Sequence, residues 1–327
     1  MSLDADAIVD RRNLRRKLSF WRVLTVLVAI AAVLMGAGYW TRGEGWSFPG
    51  PAGAYVARVK ISGLIRGDRE RAEALDRLAR SGARAVIVHV DSPGGTTAGS
   101  EQLHNDLRRV AARKPVVVVV DGLAASGGYI AALGGDHIIA QETSLVGSIG
   151  VLAQYPKVSQ LMKTLGVSVE EVKSSPLKAA PNAFEPTSPE ARAALESIVM
   201  DAYAWFRGLV KERRRFDAAE LDRVADGRVF TGRQALSLKL VDALGDERTA
   251  REWLAKEKGV QANTPVRDWR LRSRVGDLSF LHLGAAILNA MGLDGLAQRI
   301  ELMGAAQAIE RLNLDGLLAL WHPQGAN

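Results

Sequence analysis

The 327-residue chain contains no cysteine. Disulfides and thiolate metal sites are therefore excluded, and cysteine usage says nothing about redox compartment. Histidine is scarce as well. The five residues His89, His104, His137, His282 and His322 show no HxxxH or HxH spacing, so a histidine-built metal centre has no support. No internal repeat is visible. Extremes of composition are also missing: 24% charged and 47% hydrophobic residues describe an ordinary globular chain with enough apolar mass for one large core or two modest ones.

The formal charge of +7 invites a nucleic-acid reading until its position is considered. Residues 1–22 carry Arg11, Arg12, Arg15, Arg16, Lys17 and Arg22 against Asp4, Asp6 and Asp10. They precede "VLTVLVAIAAVLMGAGYW" from Val23 to Trp40, which is free of charge and flanked by Phe20 and Trp21 on one side and Tyr39 and Trp40 on the other. A helix of that length spans roughly 27 Å, close to the hydrocarbon thickness of a bilayer. Aromatic girdles and a basic N-terminal flank suit a segment whose basic end stays in the cytoplasm. The expected organisation is a cytoplasmic basic segment at 1–20, a transmembrane signal anchor at 21–40 and a Gly/Pro-rich linker at 41–54. A cleavable signal peptide is the competing reading, but its apolar stretch should be shorter and Tyr39–Trp40 is a poor cleavage site. Under either reading residues 41–327 lie outside the cytoplasm.

Beyond the linker the chain alternates. "YVARVKISGLI" (55–65) has strand character, and "DRERAEALDRLARSG" (68–82) places Ala72, Leu75, Leu78 and Ala79 at helical spacing. "RAVIVHV" (84–90) and "PVVVVV" (115–120) are short apolar runs suited to strands buried on both faces, separated by a glycine turn and a helix. "HIIA" (137–140) follows as another strand. This succession predicts an α/β fold built on a parallel sheet with crossover helices. Residues 188–215 predict a long helix whose basic end is a solvated face or a subunit contact, not a nucleic-acid patch. Residues 285–321 read as amphipathic helices that pack against the assembly or lie on a membrane surface.

In such sheets chemistry gathers where strands end and helices begin. Two junctions are glycine-rich: "DSPGG" at 91–95 and "ASGG" at 125–128. One could supply oxyanion donors and the other a nucleophile, Ser126. The plainer alternative makes Ser126 an N-cap and the glycines simple turns. A serine nucleophile needs a base. His89 and His137 lie in strands, His104 on a polar helix, His282 and His322 in the far tail, and none has a carboxylate partner in a recognisable motif. A lysine base needs a desolvated site to lower its pKa. "EVKSSPLKAAPNAFEP" (171–186) offers Lys178 beside Leu177 and "AAP", whereas Lys173 sits among Glu170, Glu171, Ser174 and Ser175 and should stay charged. A solvated loop lysine remains the plain alternative for both.

Taken in order, "DSPGG", "AASGGY", "GSIGV" (147–151), "KSSPLKAA" and "DGRVFTGRQALSLKLVDALG" (226–245) resemble the signal peptide peptidase A family of membrane-anchored serine peptidases. The resemblance covers about residues 55–250 and leaves 251–327 as a helical C-terminal extension. It implies a crotonase-like (ClpP-like) fold, a ββα superhelix, and hydrolysis of hydrophobic peptides such as cleaved signal peptides by a Ser/Lys dyad. It implies Ser126 as nucleophile, Lys178 as general base, Ser148 as the hydroxyl orienting the lysine amine, and Gly95, Gly94 and Gly127 around the oxyanion hole. No cofactor or metal is implied. The single set of motifs resembles the half-length form, which implies a homo-oligomeric ring whose dyad is shared between neighbours, at the bacterial inner membrane with the catalytic domain in the periplasm. The family's frequent acidic residue after the lysine is replaced here by Ala179 and Ala180, a departure that bears on substrate preference. A crotonase-type acyl-CoA enzyme or an inactive scaffold on the same fold are the alternative functions.

Overall fold

A computed structural model of the chain describes Trp21, residues 54–271 and, as backbone, residues 318–320. The basic segment, the expected anchor, the linker up to residue 53 and most of the stretch 285–321 fall outside the described residues, Trp21 apart. Among the described residues no helix is long and apolar enough to cross a membrane.

From residue 55 the predicted alternation is present. It begins with β1 (Tyr55–Ser62), α1 (Arg69–Arg80), β2 (Ala83–Ser92), β3 (Gly94–Thr96) and α2 (Thr97–Ala111). The chain continues through β4 (Val116–Ala125), α3 (Gly127–Ala132), β5 (His137–Ala140) and β6 (Leu145–Gly147). Helix α1 starts where the Asp68 carboxylate accepts the Arg71 amide at 3.0 Å, and its last turn carries Arg77 and Arg80, favourable at the negative end of the helix dipole. The valine runs of β2 and β4 are buried on both faces, as a central strand of a covered parallel sheet requires.

After β6 the chain makes a long excursion holding α4 (Ser159–Thr164). It then returns through α5 (Pro189–Arg214), α6 (Ala218–Val224), β7 (Val229–Thr231), α7 (Gly232–Ser237), β8 (Ala243–Leu244), α8 (Glu247–Lys258) and β9 (Val266–Asp268). The main sheet has eight strands, ordered β7-β6-β4-β2-β1-β9, with β5 between β4 and β8. Every pairing in it is parallel except β6 with β7.

One sheet face packs the larger core, including Leu75, Leu78, Leu103, Leu107, Ile130 and Phe206. The other is sealed by Ala250 and Leu254 of α8 against Val56, Ile87, Val117 and Ile139. Strand β4 serves both halves of the molecule. Its Val117–Val120 stretch pairs with β5, and its Leu123–Ala125 stretch pairs with β6. This is why it runs five residues past the valine run that marks it in the sequence: the small residues of "GLAA" are held extended by β6, although they lack β-branched character.

The structure departs from the sequence expectation in two more places. His104, expected on a polar helix, is buried, with its Nδ1 3.1 Å from the Ile130 carbonyl, because α3 packs over that face of α2. Residues 318–320 belong to the stretch read as helical, yet they form a strand, β10 (Leu318–Leu320), antiparallel to β3. An open strand edge supplies backbone partners that override the helical preference of a short leucine-rich run.

Candidate active site

Ser126 sits at the corner between β4 and α3 with φ 54° and ψ −117°. A side-chain-bearing residue in that region costs about 1–3 kcal/mol and persists only where its surroundings enforce it. They do so here by a full set of backbone bonds. The Ser126 N–H donates to the Gly147 carbonyl at 2.7 Å, and its carbonyl accepts the amides of Tyr129 and Ile130 at 2.9 and 3.0 Å. The residue occupies the N-cap position, but its hydroxyl makes no capping bond. The sharp turn therefore presents a hydroxyl that the helix does not use, the arrangement of a strand-to-helix nucleophile corner.

The helix behind it is anchored firmly. All six residues of α3 are buried, and the Tyr129 hydroxyl donates to the Leu240 carbonyl at 2.7 Å. Burial raises the Tyr129 pKa well above its ordinary value, so the phenol stays protonated as that donor.

Ser148 follows β6 just as Ser126 follows β4. Because Ala125 lies opposite Gly147 in a parallel pair, the two serines end adjacent strands side by side. Ser148 too has a positive φ, 51°, and its N–H donates to the Arg228 carbonyl at 2.8 Å.

The glycine turn at the end of β2 reaches the same place, since Ser92 lies opposite Ala124 of β4. Gly94 has φ 107°. A Cβ on Gly95 would stand 1.8 Å from the Ile65 carbonyl oxygen, and one on Gly128 would stand 2.5 Å from the Ser92 carbonyl oxygen. Only glycine permits backbone to pass this close: the first contact holds β3 against the Ile65 segment, and the second holds the "SPGG" turn against the start of α3. The Ser92 hydroxyl stitches the turn, donating to the Gly63 carbonyl at 2.7 Å and accepting the Gly94 amide at 3.1 Å. The first amides of α3, Gly127 among them, have no intrahelical acceptor. Ser126, Ser148, Gly94, Gly95 and Gly127 thus converge on one end of β2, β4 and β6.

Lys178 does not join them within one chain. It is exposed on the excursion between β6 and α5, and its side chain makes no hydrogen bond or ion pair with any described residue. The excursion closes on itself: the Val158 amide donates to the Ala183 carbonyl at 2.9 Å, and the Tyr155 and Thr187 hydroxyls meet at 3.1 Å. Its helix α4 buries no residue. Leu161, Leu165, Val167, Val169, Val172, Leu177 and Phe184 all stand exposed along it. Lys173 is occupied by Glu171 and Glu185, whose hydrogen bonds hold its pKa above the ordinary lysine value.

Motif reading also missed a cluster on the opposite sheet face. His89 lies 2.8 Å from Asp121 through Nδ1 and 2.8 Å from Glu247 through Nε2, and Arg58 grips both Glu247 and Asp268. No motif could have announced these partners, because they come from five separate elements.

Comparison with known proteins identifies the family. Residues 108–261 match the model of peptidase family S49. The chain is 34% identical over 217 residues to the "Putative protease" of Synechocystis sp., covering 66% of this chain and 78% of that one. It is 33% identical over 221 residues to the "Serine protease SPPA, chloroplastic" of Arabidopsis thaliana, covering 66% of this chain and 32% of that one. It is 34% identical over 184 residues to the "Putative signal peptide peptidase SppA" of Enterococcus faecium, covering 56% of this chain and 54% of that one. With the ordered motifs present and the serine corner built, the chain belongs to peptidase family S49, the family of signal peptide peptidase A.

Proposed function

We propose that the protein is a serine endopeptidase in which Ser126 is the nucleophile and Lys178 of a neighbouring copy is the general base, on the crotonase-like (ClpP-like) ββα superhelix. The observation that carries this reading is the Ser126 corner: a strained, buried serine whose hydroxyl is not spent on the helix it begins. Lys178 supports it from the other side. It rides on an excursion with an exposed apolar surface and no internal partner for its amine, which suits a part that docks on a second copy.

In the assembled site the Lys178 amine accepts the Ser126 proton, while Ser148, beside Ser126, orients it. The serine oxygen forms a bond to the scissile carbonyl carbon, and the carbonyl electrons move onto oxygen. The amides of Gly95 and Gly127, next to Gly94, receive that charge, each such donor lowering the barrier by about 3 kcal/mol. Collapse of the tetrahedral species breaks the C–N bond, and the protonated lysine hands its proton to the leaving amine. Water then repeats the addition on the acyl-enzyme, with its proton passing through Lys178 and the serine released. None of these steps calls on a metal or nucleotide.

The substrates that suit this reading are extended hydrophobic peptides such as spent signal peptides. The charge-free stretch from Val23 to Trp40 would tether the enzyme to the inner membrane, with the catalytic domain on the periplasmic side and copies closed into a ring. Mixing Ser126→Ala with Lys178→Ala subunits tests the shared dyad. Each variant alone should be inactive and the mixture should regain a fraction of wild-type turnover, whereas a self-contained dyad gives none.

A further inference from the structure

Strand β3 has two edges, and the structure shows what each one holds. On the first, the Ile65 N–H donates to the Gly94 carbonyl at 2.8 Å, and the Thr96 N–H donates to the Ile65 carbonyl at 2.9 Å. Successive residues of a strand turn their peptide groups to opposite sides. With Gly94 and Thr96 committed to Ile65, the N–H and C=O of Gly95 face the second edge. That edge is held by β10, running antiparallel with Ala319 opposite Gly95, and β10 also approaches α3, the helix that Ser126 opens. The tail of the chain therefore lies as an extended strand on the peptide group expected to receive the substrate's scissile carbonyl.

An open strand edge is a template for any extended peptide, and peptide recognition by strand addition takes its affinity from such main-chain bonds. We propose that Leu318–Leu320 is a built-in occupant of the substrate strand site, so that the chain's own tail competes with peptides for the Gly95 peptide group. This rests on the reading of Ser126 and Gly95 given above. Tethering keeps the local concentration of the tail high without any requirement for tight contacts. Substrate then binds only the fraction of molecules in which the tail has left, and its apparent affinity falls by that fraction. The device restrains an unspecific peptidase until an extended chain arrives at sufficient concentration.

The test uses the full-length protein carrying Leu318→Pro, Ala319→Pro and Leu320→Pro. Proline donates no backbone hydrogen bond and cannot continue the pairing. The expected result is an about tenfold lower KM for an extended peptide with kcat within twofold, since a competitor is removed and the chemistry is untouched. A synthetic peptide of residues 314–323 should inhibit this variant competitively. Equal KM in variant and wild type, with no inhibition by the peptide, overturns the proposal.

Amide exchange at Gly95 reads the pairing without relying on activity. It should quicken at least tenfold in the variant, while exchange in β4 stays constant and certifies the fold; unchanged exchange at Gly95 overturns the pairing. A companion protein with glycine at the same three positions should shift in the same direction by less. If exchange quickens while neither protein turns over peptide, the catalytic reading has failed and the tail pairing stands.

Discussion

Gly95→Ala places the smallest possible side chain at the tightest contact in the site. The added Cβ would lie 1.8 Å from the Ile65 carbonyl oxygen and 2.6 Å from the Ile65 carbonyl carbon and nitrogen, all main-chain atoms. A tolerable C···O approach is about 3.3 Å, so β3 and the Ile65 segment must part by roughly 1.5 Å. Overpacking of this kind costs about 1–3 kcal/mol, which in a domain of this size lowers Tm by about 3–10 °C. The same displacement carries the Gly95 amide away from the oxyanion position. Loss of one such donor lowers kcat about 10²–10³-fold with a much smaller change in KM. Gly82→Ala is the matched control, because a Cβ there meets nothing within 4 Å; it should leave both Tm and kcat unchanged. The assay pairs thermal unfolding with peptide hydrolysis on both variants. A Gly95→Ala protein with wild-type Tm and kcat would refute both the packing argument and the assignment of this amide.

Three further outcomes are expected. Tyr129→Phe leaves the buried Leu240 carbonyl without its donor and should cost about 1–3 kcal/mol, read as a lower urea midpoint at constant m; an unchanged midpoint would show that the bond does not anchor α3. His104 is held at a pKa of about 4, below its ordinary 6.5, chiefly by burial, with Arg213 and Arg108 also opposing its charge and the Ile130 carbonyl favouring it. Its folded-state pKa is depressed, so its contribution to stability is fully present above pH 6.5 and is lost as pH falls toward 4. His104→Gln should therefore flatten the stability profile between those values, and a profile that keeps its slope would clear His104 of the effect. Ser148→Ala should lower kcat while leaving the fold intact by circular dichroism; full activity would remove it from the lysine's surroundings.

The strands and glycine corners that build the candidate site were legible in the sequence, and their mutual placement much less so. Strand runs such as "RAVIVHV" and "PVVVVV" declare themselves by composition, because central parallel strands must be apolar on both faces. The glycine corners declare themselves too, since few backbones need so many small residues in a row. The adjacency of Ser126 and Ser148 follows from the β4–β6 register, which only tertiary pairing determines. The extension of β4 through "GLAA" is of the same kind: its neighbour, not its propensity, holds it straight. His104 does lie on the polar helix the sequence indicates, but its burial was not legible, because a helix that is polar on average can still turn one histidine into the core. The carboxylates flanking His89 come from a strand and a helix far away in sequence, and β10 pairs with residues more than two hundred positions earlier. No local pattern encodes contacts at that range.

The measurement closest to the central claim is reaction of the full-length protein with a fluorophosphonate probe, followed by peptide mapping of the adduct. The account predicts a single modified residue, Ser126, with labelling abolished in Ser126→Ala and strongly slowed in Lys178→Ala. An adduct on another residue, or undiminished labelling of Ser126→Ala, would contradict it.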